Sequence, residues 1–361
     1  MMYIKMISII SLVFLIGCGE SESGSSSEVP TLPSNATSAS SEPYYYQQWY
    51  LEENPSFYRL NAIDSQAHIN IGTTLDSYRG RNIRIAVIDD GIDIGHEDFN
   101  GAIVAGFDSL TKTSDVSHTY HNDYHGTAVT GIIAARVNSK GIAGIASEAQ
   151  IIFLKYQNSM SDSETIELFN KAEAYGADII NCSWGTYDVS DAVKDKIVDL
   201  ANNGRGGKGI SIVFASGNDE LDMGNDESAI PEVISVGSTD RDNLRAYYSN
   251  YGANLDIVAP GGYYVGLSTL DPMNTAGLAS VDTNYMLYND SESFIGTSGS
   301  APIVSGVIAL MLEKDPRLTR VEIEYLLKTY ADKIGTLSYD SYGRNNYYGY
   351  GKINVTKLMM N

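Results

Sequence analysis

The chain has 361 residues, 43% of them hydrophobic, which is enough for one large domain with a sizeable core and excludes a wholly disordered chain. Its formal net charge of −21 repels polyanions, so no nucleic acid is expected as a partner, whereas cationic substrates and calcium stay open. Two cysteines, Cys18 and Cys182, are too few for a disulfide framework, and Cys182 sits in the apolar run Asp178–Cys182 as a small core residue.

At the N-terminus Lys5 precedes the apolar run Met6 to Ile16. That run is too short to span a bilayer and has the charged-then-apolar order of an export signal. The ending Leu15-Ile16-Gly17-Cys18 resembles a bacterial lipobox, which implies residues 1–17 as a lipoprotein signal peptide and Cys18 as a lipidated first residue. The expected location is then the bacterial cell envelope, with the chain exported and its membrane contact made through the lipid anchor. Residues 18–42 are Ser, Glu, Pro, Gly and Asn with almost nothing apolar, and read as a disordered tether reaching on the order of 25–30 Å. One folded domain is expected over 43–361, without a second linker or a repeat.

Within that domain, strand-like runs fall at 83–88, 151–154, 178–182, 210–215, 233–236 and 255–258. They are β-branched and nearly continuous in apolar character, as strands buried on both faces are. Helix-like runs at 125–137, 164–174, 191–202, 298–313 and 320–331 lie between and after them. The alternation predicts an α/β fold of three layers, with a mostly parallel central sheet and helices on both faces. Active sites in such folds gather at the carboxyl ends of strands.

Four candidates sit there. Asp89 ends the run Ile85-Ala86-Val87-Ile88, where a buried carboxylate needs hydrogen-bonding work such as orienting a histidine. His125 opens a helix of small residues. A zinc cluster of His118, His121, Asp123 and His125 is the competing reading, but no helical i, i+4 His pair with an intervening Glu is present. Ser298 begins a helix with Pro302 expected in its first turn. A serine there serves as an ordinary cap, yet the helix start also offers N–H groups to a developing oxyanion. Asn218 follows the apolar run ending at Ala215 and is either a turn residue or a second oxyanion donor.

The order Asp89, His125, Asn218, Ser298, with the flanks Val87-Ile88-Asp89-Asp90-Gly91, His125-Gly126-Thr127 and Gly296-Thr297-Ser298 followed by Pro302, resembles the subtilase family. So do Asn181-Cys182-Ser183-Trp184-Gly185, Ala259-Pro260-Gly261 and Tyr350-Gly351-Lys352-Ile353-Asn354; the resemblance runs from about Gln47 to the end. It implies a subtilisin-like serine endopeptidase acting on proteins or peptides, with Asp89, His125 and Ser298 as triad and Asn218 in the oxyanion hole. It also implies that Ser183, Trp184 and Gly185 line the substrate cleft and pair with extended substrate.

Gln47-Gln48-Trp49-Tyr50-Leu51, Asp89-Asp90-Gly91 and Ser183-Trp184-Gly185 are similar to the kexin/furin branch, although neither that branch's β-sandwich domain nor a pro-domain is expected from these 361 residues. From that branch, Asp188 and Asp90 are expected to favour basic residues before the cut. The acidic loop 219–227 stands where the branch has Cys-rich sequence, and its Asp222 and Asp226 have no assigned place. The family further implies a structural Ca2+ held by Glu42, Asp98 and Asn138 with the carbonyls of Arg136, Lys140 and Ile142. The rival readings are a catalytically dead surface-binding lipoprotein and an esterase. Retention of all four catalytic positions argues against the first, and the lack of a Gly-x-Ser-x-Gly elbow against the second.

Overall fold

The computed structural model describes residues 39–360 apart from 121–122, 158, 275–276, 278–283 and 290–292, so the signal segment and Cys18 lie outside the described residues. Seven strands form one parallel sheet: β1 (Arg84–Asp89), β2 (Ile103–Asp108), β3 (Gln150–Lys155), β4 (Ile179–Cys182), β5 (Ser211–Ala215), β6 (Ile234–Thr239) and β7 (Ile257–Pro260), in the order β2-β3-β1-β4-β5-β6-β7. Pro260 ends an edge strand, where a missing N–H costs no ladder bond. A small antiparallel pair, β8 (Thr269–Leu270) and β9 (Tyr285–Met286), stands apart.

Side chains alternate across the sheet, as the two-residue period of a strand requires. Ile85, Val87, Phe153, Ile179, Val213 and Val236 face one layer, which holds α3 (His125–Ala134) and α6 (Thr297–Lys314). Ala86, Ile88, Leu154, Ile180, Cys182 and Phe214 face the other, formed by α4 (Asp162–Ala174) and α5 (Asp191–Gly207). The expected mostly parallel three-layer α/β architecture is the one observed. Helix α4 begins with a full capping box between Ser161 and Glu164. Helix α5 breaks at Gly204–Gly206, close to the boundary expected from sequence.

The remaining helices are α1 (Pro55–Asn61), the single turn α2 (Thr74–Ser77), α7 (Arg320–Tyr330) and α8 (Val355–Met359). Residues 39–42, expected as the end of a disordered tether, are instead packed onto the domain, with Ala39 and Glu42 buried. Trp49 Nε1 donates to the Gly266 carbonyl at 2.9 Å, Gln48 exchanges two side-chain bonds with the Ala143 backbone, and packing begins at Ala39. Among the described residues no helix is long and apolar enough to cross a membrane.

Candidate active site

The parallel topology brings the carboxyl ends of β1, β4 and β5 side by side, and the N-termini of α3 and α6 meet them there. Asp89 is the last residue of β1 and fully buried. Its Oδ1 accepts from the Asp90 N–H and lies 2.8 Å from His125 Nδ1. With Nδ1–H donated to Asp89, Nε2 is the basic nitrogen of the neutral ring. Phe294 packs against the imidazole at 5.5 Å between ring centroids. The histidine reaches this position because α3 lies tightly on the turn after β1. A Cβ on Gly126 would come within 2.3 Å of the Gly91 carbonyl and 2.6 Å of Phe153, so only glycine fits.

Burial pushes the His125 pKa down, but the charge and hydrogen bond of Asp89, with Asp90 adding, outweigh it and lift the group to about 9. Asp90 is itself pushed up to about 8, by burial first and by repulsion from Asp89 second. Burial and Asp89 thus hold Asp90 towards its neutral form, and its lift on His125 grows as it ionises. Its Oδ1 accepts from the Gly126 N–H at 2.8 Å, while Oδ2 is buried without a partner.

Ser298 stands in the first turn of α6. Its Oγ donates to the Ser183 carbonyl at 3.1 Å, and Ser183 Oγ donates back to the Ser298 carbonyl at 3.0 Å. That second bond exists because Pro302, four residues on, has no N–H to give to the Ser298 carbonyl. Ser183 is held in turn by Asn181 Nδ2 at 3.1 Å, whose Oδ1 accepts from Ser305. Transfer of the Ser298 proton to His125 needs a rotation of the serine side chain away from Ser183, a change common between free and substrate-bound sites.

Asn218 follows β5 and faces the same helix start. Its Oδ1 accepts from both the N–H and the Oγ1–H of Thr297 at 2.9 Å, and so supplies the cap that Gly296 lacks. The amide N–H group of Asn218 and the backbone N–H of Ser298 have no acceptor among the described residues. They are the two donors that an oxyanion beside Ser298 would use.

Beside them a narrow recess, with free space of only about 10 Å³ in this state, is lined by Gly185, Tyr187, Ser216, Gly217, Met223 and Asp226. Of the residues expected from sequence, Ser183 and Gly185 edge the cleft. The Trp184 side chain instead points into the core, its Nε1 donating to the Ile88 carbonyl at 2.9 Å and its ring packed on Phe214, so only its backbone borders the cleft. Asp188 lies outside the recess, exposed and bonded to Asn225. The carboxylate that does line the recess is Asp226, which takes the Tyr187 and Ser228 N–H groups at 2.9 Å each. A Cβ on Gly185 would come within 2.5 Å of Asp226 Oδ2. Neighbouring Glu227 is fully buried on Thr186 and held up at about 7 by burial and then by Asp226.

The residues expected to hold calcium do come together. Glu42 and Asp98 are fully buried, and each has one carboxylate oxygen, Oε2 and Oδ2, with no partner. Burial, then Glu42 and Glu97, push Asp98 up to about 7 against the opposing bond from Asn138. Ser139 N–H reaches Glu42 Oε1 at 2.8 Å, and Asn138 Nδ2 reaches Asp98 Oδ1 at 3.0 Å. The carbonyls of Arg136, Lys140 and Ile142 accept no hydrogen bond among the described residues. Two uncompensated buried carboxylates with spare carbonyls suit a hard, oxygen-seeking cation; bound calcium would turn the Asn138 amide to present its oxygen.

Among the described residues no three His, Cys, Asp or Glu side chains converge as a metal site. Asp123, of the alternative zinc set, instead caps the N–H groups of Thr119 and Tyr120. His121 lies outside the described residues.

A parallel α/β sheet that presents an Asp–His pair to a serine at a helix start defines a serine-hydrolase site of the subtilisin type. The subtilase family model matches residues 80–351, and the chain belongs to that family. It is 32% identical over 343 residues to the calcium-dependent protease of Nostoc, covering 87% of this chain and 51% of that protein; it thus spans about half the length of that relative. It is 29% identical to the dibasic-processing endoprotease of Yarrowia lipolytica, over 88% of this chain and 33% of the relative. The solved structure of a Pseudoalteromonas arctica protease superimposes with a TM-score of 0.72 at 26% identity, covering 90% of this chain and 99% of the other.

Proposed function

We propose that the chain is a serine endopeptidase that hydrolyses peptide bonds in proteins through an acyl-enzyme. The observation that carries this is the Asp89–His125 bond at 2.8 Å, set beside a serine whose helix start and Asn218 offer two free N–H donors. In this reading Ser298 Oγ adds to the scissile carbonyl carbon and its proton passes to His125 Nε2. The carbonyl oxygen, now anionic, takes the Asn218 and Ser298 N–H groups. As the C–N bond breaks, the His125 proton goes to the leaving amine, and Asp89 stabilises the imidazolium meanwhile. Water then repeats the two transfers, frees the acid and restores the serine. Calcium, when bound at Glu42 and Asp98, would supply charge neutralisation to the fold rather than a step in the reaction.

The side chain before the cut would enter the recess under Gly185, where Asp226 favours Arg or Lys by a charge-assisted hydrogen bond. Asp226, rather than Asp188, is the acid that supports a basic preference, in line with the dibasic processing for which the Yarrowia relative is named. Asp90 is buried against the Gly126 N–H and held towards its neutral form, so it offers no full charge to a basic residue one place earlier. The export signal and Cys18 support a lipid-anchored enzyme of the bacterial cell envelope, which loss of membrane fractionation in Cys18→Ser would check.

Casein digestion and fluorophosphonate labelling test the main reading. Wild type should do both and Ser298→Ala neither. Casein cleavage at wild-type rate by Ser298→Ala would remove the assignment. Paired substrates with Arg or Leu before the cut test the finer one, since Asp226→Asn should erode an Arg preference that Asp188→Asn leaves intact.

A further inference from the structure

Beyond the cleft, the loops that follow β6 and β7 carry a continuous group of stacked tyrosines. Tyr247 and Tyr263 lie 4.6 Å apart between ring centroids, Tyr263 and Tyr264 4.5 Å, and the Arg241 guanidinium sits 4.8 Å over Tyr264. These rings are open to solvent, with relative exposures of 55%, 37% and 64% for Tyr247, Tyr263 and Tyr264. Exposed apolar surface of this kind, held rigid, marks an interaction site more often than an accident of composition.

Rigidity comes from below. Tyr248 is buried, packs on both Tyr247 and Tyr263, and its hydroxyl donates to the Gly262 carbonyl at 2.5 Å. The same loop is bonded to the nucleophile's own loop, with the Gly296 N–H donating to the Gly261 carbonyl at 2.9 Å. Only Thr297 on one side, and Gly262 on the other, separate that bond from Ser298 and Tyr263.

The sheet order gives the patch its direction. Residues before the cut lie along Ser183–Gly185 at β4 and enter the recess between the β4 and β5 ends. Asn218 and Ser298 mark the scissile bond. In the sheet order the ends of β6 and β7, where the tyrosines stand, lie beyond β5 on the side away from β4.

We propose that Tyr247, Tyr263 and Tyr264 form a recognition surface for the part of a peptide substrate that follows the cut, and select an aromatic residue there. The inference rests on the peptidase reading above. Flat rings offer edge-to-face and stacked partners to an incoming aromatic side chain, while Arg241 disfavours a basic one. A pair of this kind corresponds to roughly a three- to tenfold gain in kcat/KM.

The test uses internally quenched peptides identical before the cut, with Tyr, Ala or Lys at the second and third positions after it. A peptide p-nitroanilide, which has no residue beyond the cut, serves beside them. Wild type should prefer Tyr over Ala by about three- to tenfold. The triple variant Tyr247→Ser, Tyr263→Ser, Tyr264→Ser should lose that preference, keep its melting temperature and keep its anilide rate. Equal rates for Tyr and Ala in wild type would overturn the proposal, as would a preference that survives in the variant. Retention on insoluble peptidoglycan that the variant loses, without any change towards peptides, would assign the patch to glycan instead. Anilide and peptides both left uncleaved by wild type would count against the peptidase reading itself.

Discussion

Asn218 holds two tasks in one amide, and its two ends can be separated. Its oxygen caps α6 through Thr297, and its nitrogen is free for the oxyanion. Asn218→Ala should lose both: about 10²–10³ in kcat, the cost measured when subtilisin loses its oxyanion asparagine, and about 1 kcal/mol of helix capping. Asn218→Asp keeps the acceptor and removes the donor, so calorimetry should show near-native melting beside a comparable loss of rate. The pH profile follows from His125. Its pKa is raised by Asp89, so the imidazolium persists to higher pH than in a free histidine, and the basic form appears only as pH climbs through the raised value. The acidic limb of kcat/KM should therefore lie above the ordinary value of about 6.5. A limb at or below that value would show that Asp89 does not control the ring.

The triad was legible because each member sits in a short local pattern just after an apolar run. Asp226 was not, because its place beneath Gly185 is made by a loop folding back from far along the chain.

At the scale of elements, strands β1, β3, β4 and β5 were readable as apolar runs, and their boundaries moved by only a residue or two. Strand β2 was missed: it is a half-exposed edge strand with Gly106 inside it, so it lacks the continuous apolar character of its neighbours. The end of β6 was missed because Gly237, Ser238 and Thr239 look like a turn, although all are buried in the ladder.

The residues proposed to hold calcium lie on the N-terminal turn, the short turn before β2 and the loop after α3, which no local pattern connects. Chelation should lower the melting temperature, and Asp98→Asn should remove most of that difference. The sign of the pH dependence differs between the two states. Without metal, the raised pKa of Asp98 means that its ionisation opposes folding, so this stability is fully present below the unfolded value of about 3.9 and is lost as pH rises towards about 7. With calcium bound, the carboxylate is favoured and the loss should disappear. Parallel melts in EGTA and in calcium from pH 5 to pH 8 measure the difference.

For the whole molecule, the net charge of −21 acts on encounter rather than on the chemical step. A cationic substrate is drawn towards the surface and a recess acid waits inside it. The kcat/KM for an Arg-containing peptide should fall as ionic strength rises from 0.01 to 0.15 M, where the screening length shrinks from about 30 to 8 Å. A neutral peptide should change little. Equal salt dependence for the two would place the discrimination wholly in the recess.

Pro302 bears on directed evolution of this chain. Any other residue at this position restores an N–H that competes with Ser183 for the Ser298 carbonyl and draws the nucleophile back into its own helix. The same change relieves a helix of its least favoured residue, worth up to about 3 kcal/mol in a helix interior. A saturation library at position 302 should thus yield variants that melt higher and cleave more slowly. The stability gained by replacing the proline should therefore come with lost turnover.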